Sequence, residues 1–202
     1  KKRRWDDVEC DEVQLRKKRV KVLSPMNSPD RMTWPGNWWG AMQRGLPKTL
    51  VLEELPARTT TLRAPGPGPI TKQEWLRLGN KHFKDKFIIV HTDSAKAYLN
   101  TIKGTRHDFV VHAPKELADG SWKKPSFVNN VRHIQKGKKS WVRSGTQHID
   151  GFWRILRRGV KATTKAVNQA LRTQVRATQW RYTHSGEDLW LAVGIELAKS
   201  FL

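Results

Sequence analysis

Three sets of carboxylates are placed where they could do chemistry. Asp93 closes the run Phe87-Ile88-Ile89-Val90-His91-Thr92. Four apolar residues without alternation read as a strand buried on both faces. Asp93 then sits at the carboxyl end of a buried strand, where open α/β sheets place their ligands. Asp150 is the one acid among residues 121–182, a stretch with fifteen Lys or Arg. Such an acid can simply favour the first turn of a helix, or it can join Asp93 at a metal. The third set is Trp5–Val13, which holds five of the 18 acids. Val8, Cys10 and Val13 give it strand character. It is either a surface strand whose acids offset nearby lysines or a strand that offers one carboxylate to a cation. Oxygen-only donors suit Mg²⁺ or Mn²⁺. Two such ions roughly 3.5–4 Å apart can activate an attacking oxygen and stabilise the leaving one in phosphodiester chemistry.

On a helix beginning near His148, Trp153, Arg154, Arg157 and Arg158 follow Asp150 at i+3, i+4, i+7 and i+8, on one face. Arginines there could grip phosphates; the bland alternative is a solvated basic face. The histidines His91, His107, His112, His133 and His148 form no metal-ligand spacing and read as structural. Cys10 reads as core, as do Trp38, Trp39 and Trp75. Trp122 and Trp141, in the basic stretch, could stack on bases, but packing is the expected role.

The elements needed to bring these residues together are a sheet and a helix. Trp5–Val13, Trp38–Met42 and Thr49–Leu55 read as three strands joined by polar turns, an antiparallel meander. Residues 24–37 and the Pro/Gly run 63–69 read as loops. Thr71 with Glu74 is a capping-box spacing for a helix carrying Trp75, Leu76 and Leu78. The buried strand 87–92 follows, then a short helix 94–101 capped by Ser94. His107–His112 reads as a fifth strand and residues 113–145 as irregular and basic. A long helix runs from His148 toward Tyr182, with an interruption near Gly159, and a last helix starts near Glu187. The string β-β-β-α-β-α-β-α predicts an α/β fold with a mixed five-stranded sheet and helices on both faces, the ribonuclease-H-like architecture.

Charge narrows the partners. Lys and Arg number 39 against 18 Asp and Glu, a net charge of +21 in 202 residues. That excess points to a polyanion, above all nucleic acid. No run approaches the roughly 18 apolar residues of a membrane span, and none reads as a secretory signal. One cysteine excludes an internal disulfide and a multi-cysteine zinc site, which fits an intracellular protein. A start at Lys1 without methionine and an end inside a helical pattern lead to the expectation of a piece of a longer protein.

The residues resemble the DDE-type insertion-sequence transposases of the ISXO-like branch. Val8-Glu9-Cys10-Asp11-Glu12 is similar to that family's first acidic strand, and His91-Thr92-Asp93 with Ala97-Tyr98 to its second acidic motif. Val110-Val111-His112 is similar to its histidine-bearing strand. Thr146-Gln147-His148-Ile149-Asp150-Gly151-Phe152-Trp153, continuing through Gly159, resembles its closing helix. The ordered set spans roughly residues 5 to 182. The resemblance implies a ribonuclease-H-like catalytic domain over residues 1–182, with a basic insertion at 113–145 and a C-terminal helix in 183–202 packed on it. It implies cleavage of element ends and strand transfer with Mg²⁺ or Mn²⁺, Asp11, Asp93 and Asp150 as metal carboxylates, and His112 as an accessory group. The partner implied is double-stranded DNA, both ends and target, bound by an oligomer of the chain and not a membrane. Arg154, Arg157, Arg158, Lys161, Lys138 and Lys139 are the candidate DNA contacts. The location implied is with chromosomal DNA, nuclear in a eukaryote and nucleoid in a bacterium, with Arg16–Arg19 as a nuclear signal or a further DNA contact.

One departure matters: the family has Glu where this chain has Asp150, one methylene shorter. A decayed or domesticated copy that binds DNA without cutting it is therefore the second reading. An unrelated basic RNA-binding or ribosomal protein is the third, and it predicts no convergence of the three aspartates.

Overall fold

The structure is a computed structural model and describes residues 5–15, 20–22, 31–135, 138–160 and 169–199. Five strands form the central sheet: β1 (Asp6–Gln14), β2 (Asn37–Gln43), β3 (Val51–Leu55), β4 (Ile88–Thr92) and β5 (Arg106–Phe109). Their order is β3-β2-β1-β4-β5. The pairs β1–β2 and β2–β3 are antiparallel, and β1–β4 and β4–β5 are parallel. The mixed sheet expected from the element string is therefore present.

Alternation along the strands decides what each face covers. Val8 and Cys10 of β1 point with Trp39 and Ala41 of β2 toward α1 (Lys72–Phe83), which contributes Trp75, Leu78 and Phe83. Val13, Trp38, Met42 and Leu52 point the other way. They pack on Ile149, Phe152, Trp153 and Leu156 of α2 (Gln147–Gly159) and on Leu171 and Val175 of α3 (Gln169–Thr183). Helices thus cover both faces. Trp38, Trp39 and Trp75 are core residues, each at most 2% exposed, and Cys10 is fully buried. The expected capping box of α1 forms: the Glu74 backbone N–H donates to Thr71 Oγ1, and Glu74 accepts from the Thr71 backbone.

Several expectations are corrected. Residues 31–34, read as loop, form a strand between Val20–Val22 and Arg58–Thr61 in a separate three-stranded sheet. Thr33 pairs with Val20 on one side and Thr59 on the other, β-branched residues that favour a strand and outweigh the Pro and Asn around them. Phe87 is outside the buried strand: it has a left-handed φ of 52° and is 45% exposed, because the chain turns sharply between α1 and β4. The helix expected at 94–101 is one 3₁₀ turn, Lys96–Leu99, and Ser94 does not cap it. The Asp93 side chain makes that turn instead, accepting the Ala95 N–H at 2.9 Å. The stretch 113–145 is not irregular throughout. It contains a two-stranded piece, Lys115–Glu116 with Trp122–Lys123, and a β-hairpin, Asn129–Gln135 with Lys138–Ser144.

The long helix from His148 is two helices, α2 and α3; residues 161–168, and with them Lys161, lie outside the described residues, as do Arg16–Arg19. The last helix, α4 (Leu189–Lys199), buries only Ala192, while Leu189, Trp190, Leu191, Ile195 and Leu197 are exposed. No helix among the described residues is long and apolar enough to cross a membrane.

Candidate active site

The site starts from the register of two parallel strands. Glu9 of β1 pairs with His91 of β4. Asp11 lies two residues beyond that last pair along β1, and Asp93 two residues beyond it on the neighbouring segment, just past the end of β4 at Thr92; neighbouring strands are about 4.8 Å apart. Asp11 also lies opposite Gly40 of β2. A Cβ on Gly40 would stand 2.5 Å from the Trp153 ring, so only glycine lets that indole come so close to the sheet. From there Trp153 Nε1 donates to Asp11 Oδ2 at 3.0 Å. Trp153 sits one turn beyond Asp150 on α2. The ring that anchors the helix to Asp11 therefore also brings Asp150 to the strand ends.

Electrostatics report the same convergence. Burial pushes the Asp11 carboxyl well above the usual carboxylate range, and the charges of Glu12, Asp150 and Asp93 push it further. Asp150 is raised by burial and by Glu9, against the Thr146 hydroxyl and the charges of His112 and Arg157. Thr146 Oγ1 donates to Asp150 Oδ2 at 3.0 Å. Asp11 thus feels the charges of both other sequence-predicted aspartates. His112 belongs to the same place: its charge reaches Asp150, its ring centroid lies 4.9 Å from that of Phe127, and its Nε2 is buried with no hydrogen-bond partner. Of the predicted DNA contacts on α2, Arg154, Arg157 and Arg158 are exposed, and Arg157 is the one whose charge reaches Asp150. Lys139 is exposed on the hairpin, and Lys138 lies on the same strand.

The donor set fits a hard cation in kind, being all oxygen and crowded with like charge that a cation would relieve. Its present arrangement is a different matter. Each aspartate holds a hydrogen-bond donor on one oxygen, from Trp153, Ala95 or Thr146. Among the described residues no group of three or more His, Cys, Asp or Glu is arranged to hold a metal ion.

Two features had no reading from the residues alone. Glu9 is fully buried on the same face of β1 as Asp11. Its Oε2 accepts the backbone N–H groups of His148 and Ile149 at 2.7 and 3.0 Å, and its Oε1 accepts from Arg44 Nε at 2.7 Å. Glu9 therefore caps α2 from the sheet, in place of the Thr146 side chain, which makes no cap. Arg44 also donates to the carbonyls of Arg143 and Gly145. The strand alternation was the available signal, since it puts residues 9 and 11 on one face. The second feature is a buried chain of charge across β1, β4, β5 and the hairpin. His91 lies between Asp7 Oδ1 at 3.0 Å and Asp108 Oδ1 at 2.5 Å, and Asp108 Oδ2 meets His133 Nε2 at 2.9 Å. Burial lowers the His91 value, but the two carboxylates prevail and raise it.

Glu12, on the opposite face of β1, accepts the Tyr98 hydroxyl, and burial carries its carboxyl up to about 7 from an ordinary 4.5. A carboxyl raised on folding carries a penalty that is absent below its unfolded value and grows until pH passes its folded value. Between pH 4.5 and 7 stability therefore falls, by up to about 1.4 kcal/mol per pH unit for this group. Asp11 acts in the same sense, and His91, raised on folding, loses its contribution as pH rises further. Thermal unfolding in chelator is expected to show a midpoint falling from pH 5 to pH 8, with a shallower fall in Glu12→Gln. A midpoint that rises over this range contradicts the shifts.

No family model matches the chain, and neither a curated protein nor a solved structure matches it.

Proposed function

We propose that this chain is the catalytic domain of a DDE-type DNA transposase with ribonuclease-H-like topology. The observation that carries the reading is that Asp11 on β1, bonded by Trp153 of the helix that carries Asp150, feels the charges of both Asp150 and Asp93, the latter just past the end of the neighbouring parallel strand β4. The sheet order β3-β2-β1-β4-β5, antiparallel on one side of β1 and parallel on the other, supports it. So does the net charge of +21.

In this reading Asp11, Asp93 and Asp150 hold Mg²⁺ or Mn²⁺. Such cations supply an activated attacking oxygen and charge stabilisation for the departing one. The chain's own work is positional. Glu9 and Arg44 fix the start of α2, Trp153 fixes its roll, and the exposed Arg157, whose charge reaches Asp150, would meet a phosphate there. His112, with an unpartnered buried Nε2 and a charge that reaches Asp150, is the accessory group of the site. Exposed Arg154, Arg158 and Lys139 bind the backbone of double-stranded DNA, with Lys138 on the same strand and Lys161 beyond α2. Terminal cleavage and target joining need two DNA ends, so the working form is an oligomer on DNA.

The second reading, a DNA-binding protein that has lost cleavage, is favoured by one observation: the carboxylates at hand do not form a ready ligand group. The two separate on a nicking assay. Supercoiled plasmid carrying candidate element ends is expected to be nicked by the chain with Mn²⁺ and to stay intact in chelator. Plasmid left intact with Mn²⁺, by protein that still binds it, selects the second reading.

A further inference from the structure

Residues 121–149 contain seven Lys or Arg and no Asp or Glu. The hairpin sorts part of that charge onto one surface. Its directly opposed pairs are Asn130–Arg143, Arg132–Trp141 and Ile134–Lys139 on one face, and all six residues are exposed. Val131 faces Val142 on the other side, half-buried, beside His133, which is tied to Asp108. The ribbon is thus held from beneath and shows its charged face outward.

On that outer face Trp141 is 70% exposed, directly across from Arg132 and between Lys139 and Arg143 on its own strand. Trp122 is 63% exposed beside Lys123 and Lys124, and Phe127 is 61% exposed. The packing role expected for Trp122 and Trp141 is therefore corrected: neither ring is covered. Phe127 and the end of the hairpin are tied to the carboxylates. Phe127 lies against His112, whose charge reaches Asp150. The Gln147 side chain donates to the Phe127 carbonyl, and Arg44 ties Gly145 to Glu9.

The outer face of the hairpin carries cations and no acid, which fits a polyanion rather than a basic second copy of this chain; Trp122, by contrast, stands opposite Glu116 on its own strand pair. Flat rings set among those cations fit bases that have left their stack, since a closed duplex offers phosphates and groove edges, not ring faces. We infer that the outer face of the hairpin, with Trp122 and Phe127 beside it, is a stacking platform for unpaired DNA bases next to the cleaved bond. The location of the strand rests on the transposase reading; the binding of unpaired DNA does not.

The test is anisotropy of a labelled oligothymidine of roughly twelve nucleotides and of a blunt duplex of similar length, in chelator at physiological salt. Trp141→Ala is expected to weaken the single strand by about 5- to 150-fold, which corresponds to the loss of one stacked base. Duplex affinity stays within about twofold, Trp141→Phe keeps most of the single-strand affinity, and Trp122→Ala behaves like Trp141→Ala. Unchanged unfolding midpoints show that the variants fold. Equal losses on strand and duplex, or no loss on the strand, overturn the inference, as does a dimer of the chain abolished by Trp141→Ala with strand binding intact. If the chain nicks plasmid while Trp141→Ala binds the strand normally, the platform falls and the transposase reading stands. If the strand affinity is lost as expected but no metal supports nicking, the platform stands and the enzymatic reading falls.

Discussion

Glu9→Ala is expected to lower the unfolding free energy by about 3–5 kcal/mol, the cost of leaving one side of a buried charge pair without its partner. Glu9 is 0% exposed, and the Arg44 side chain it pairs with is 18% exposed. The substitution strands the Arg44 guanidinium in a poorly solvated place and removes the acceptor for two N–H groups at the start of α2. Those groups belong to the four that every helix leaves unsatisfied at its N-terminus, and the dipole there favours an anion. Glu9→Gln keeps an acceptor of nearly the same shape and loses the charge, so a smaller loss, about 1–3 kcal/mol, is expected. Urea unfolding of the two variants against the unchanged chain checks both. A loss below about 1 kcal/mol in Glu9→Ala means that the link between β1 and α2 is not made.

That link also explains what could and could not be read from the residues. The run Ile88–Thr92 was legible as a buried strand because burial on both faces leaves a mark within five residues. The Thr71–Glu74 box was legible because capping is local. Asp93 as a strand-end carboxylate and Asp150 as a lone acid were legible from position and contrast. What failed depended on contacts distant in sequence. Glu9 looked like one more acid in a mixed cluster, since its partners Arg44 and Ile149 lie 35 and 140 residues away. The Ser94 cap failed because the turn starts one residue later, at Lys96 with Ala95 as its cap, while the Asp93 carboxylate holds the Ala95 N–H. Residues 129–144 looked irregular because the outer face of their hairpin is basic and its inner face is held by His133 rather than by an apolar stripe. Trp122 and Trp141 were assigned to packing by residue type, and only the pleat of the ribbon shows Trp141 to be turned outward.

Asp93→Asn is expected to abolish Mn²⁺-dependent nicking, by roughly a thousandfold or more, while leaving DNA binding intact or slightly stronger. The two effects have separate physical origins. The replacement amide keeps an oxygen that can accept the Ala95 N–H, so the turn that follows β4 survives and the fold is not the variable. What is lost is one negative charge that Asp11 feels. A cation shared between those carboxylates, as the proposal has it, would lose much of its attraction, whereas a phosphate approaching the same surface would lose a repulsion. Asp150→Asn is expected to cut nicking likewise, and Asp150→Glu to keep it or raise it, since one more methylene carries the carboxylate toward the strand ends. If both asparagine variants nick as the unchanged chain does, the cleavage belongs to a contaminant or to other residues. If the unchanged chain never nicks but Asp150→Glu does, Asp150 is the lesion that silenced the site. Binding measured on the same DNA in chelator separates these cases, because it should be insensitive to position 150 beyond the change in charge.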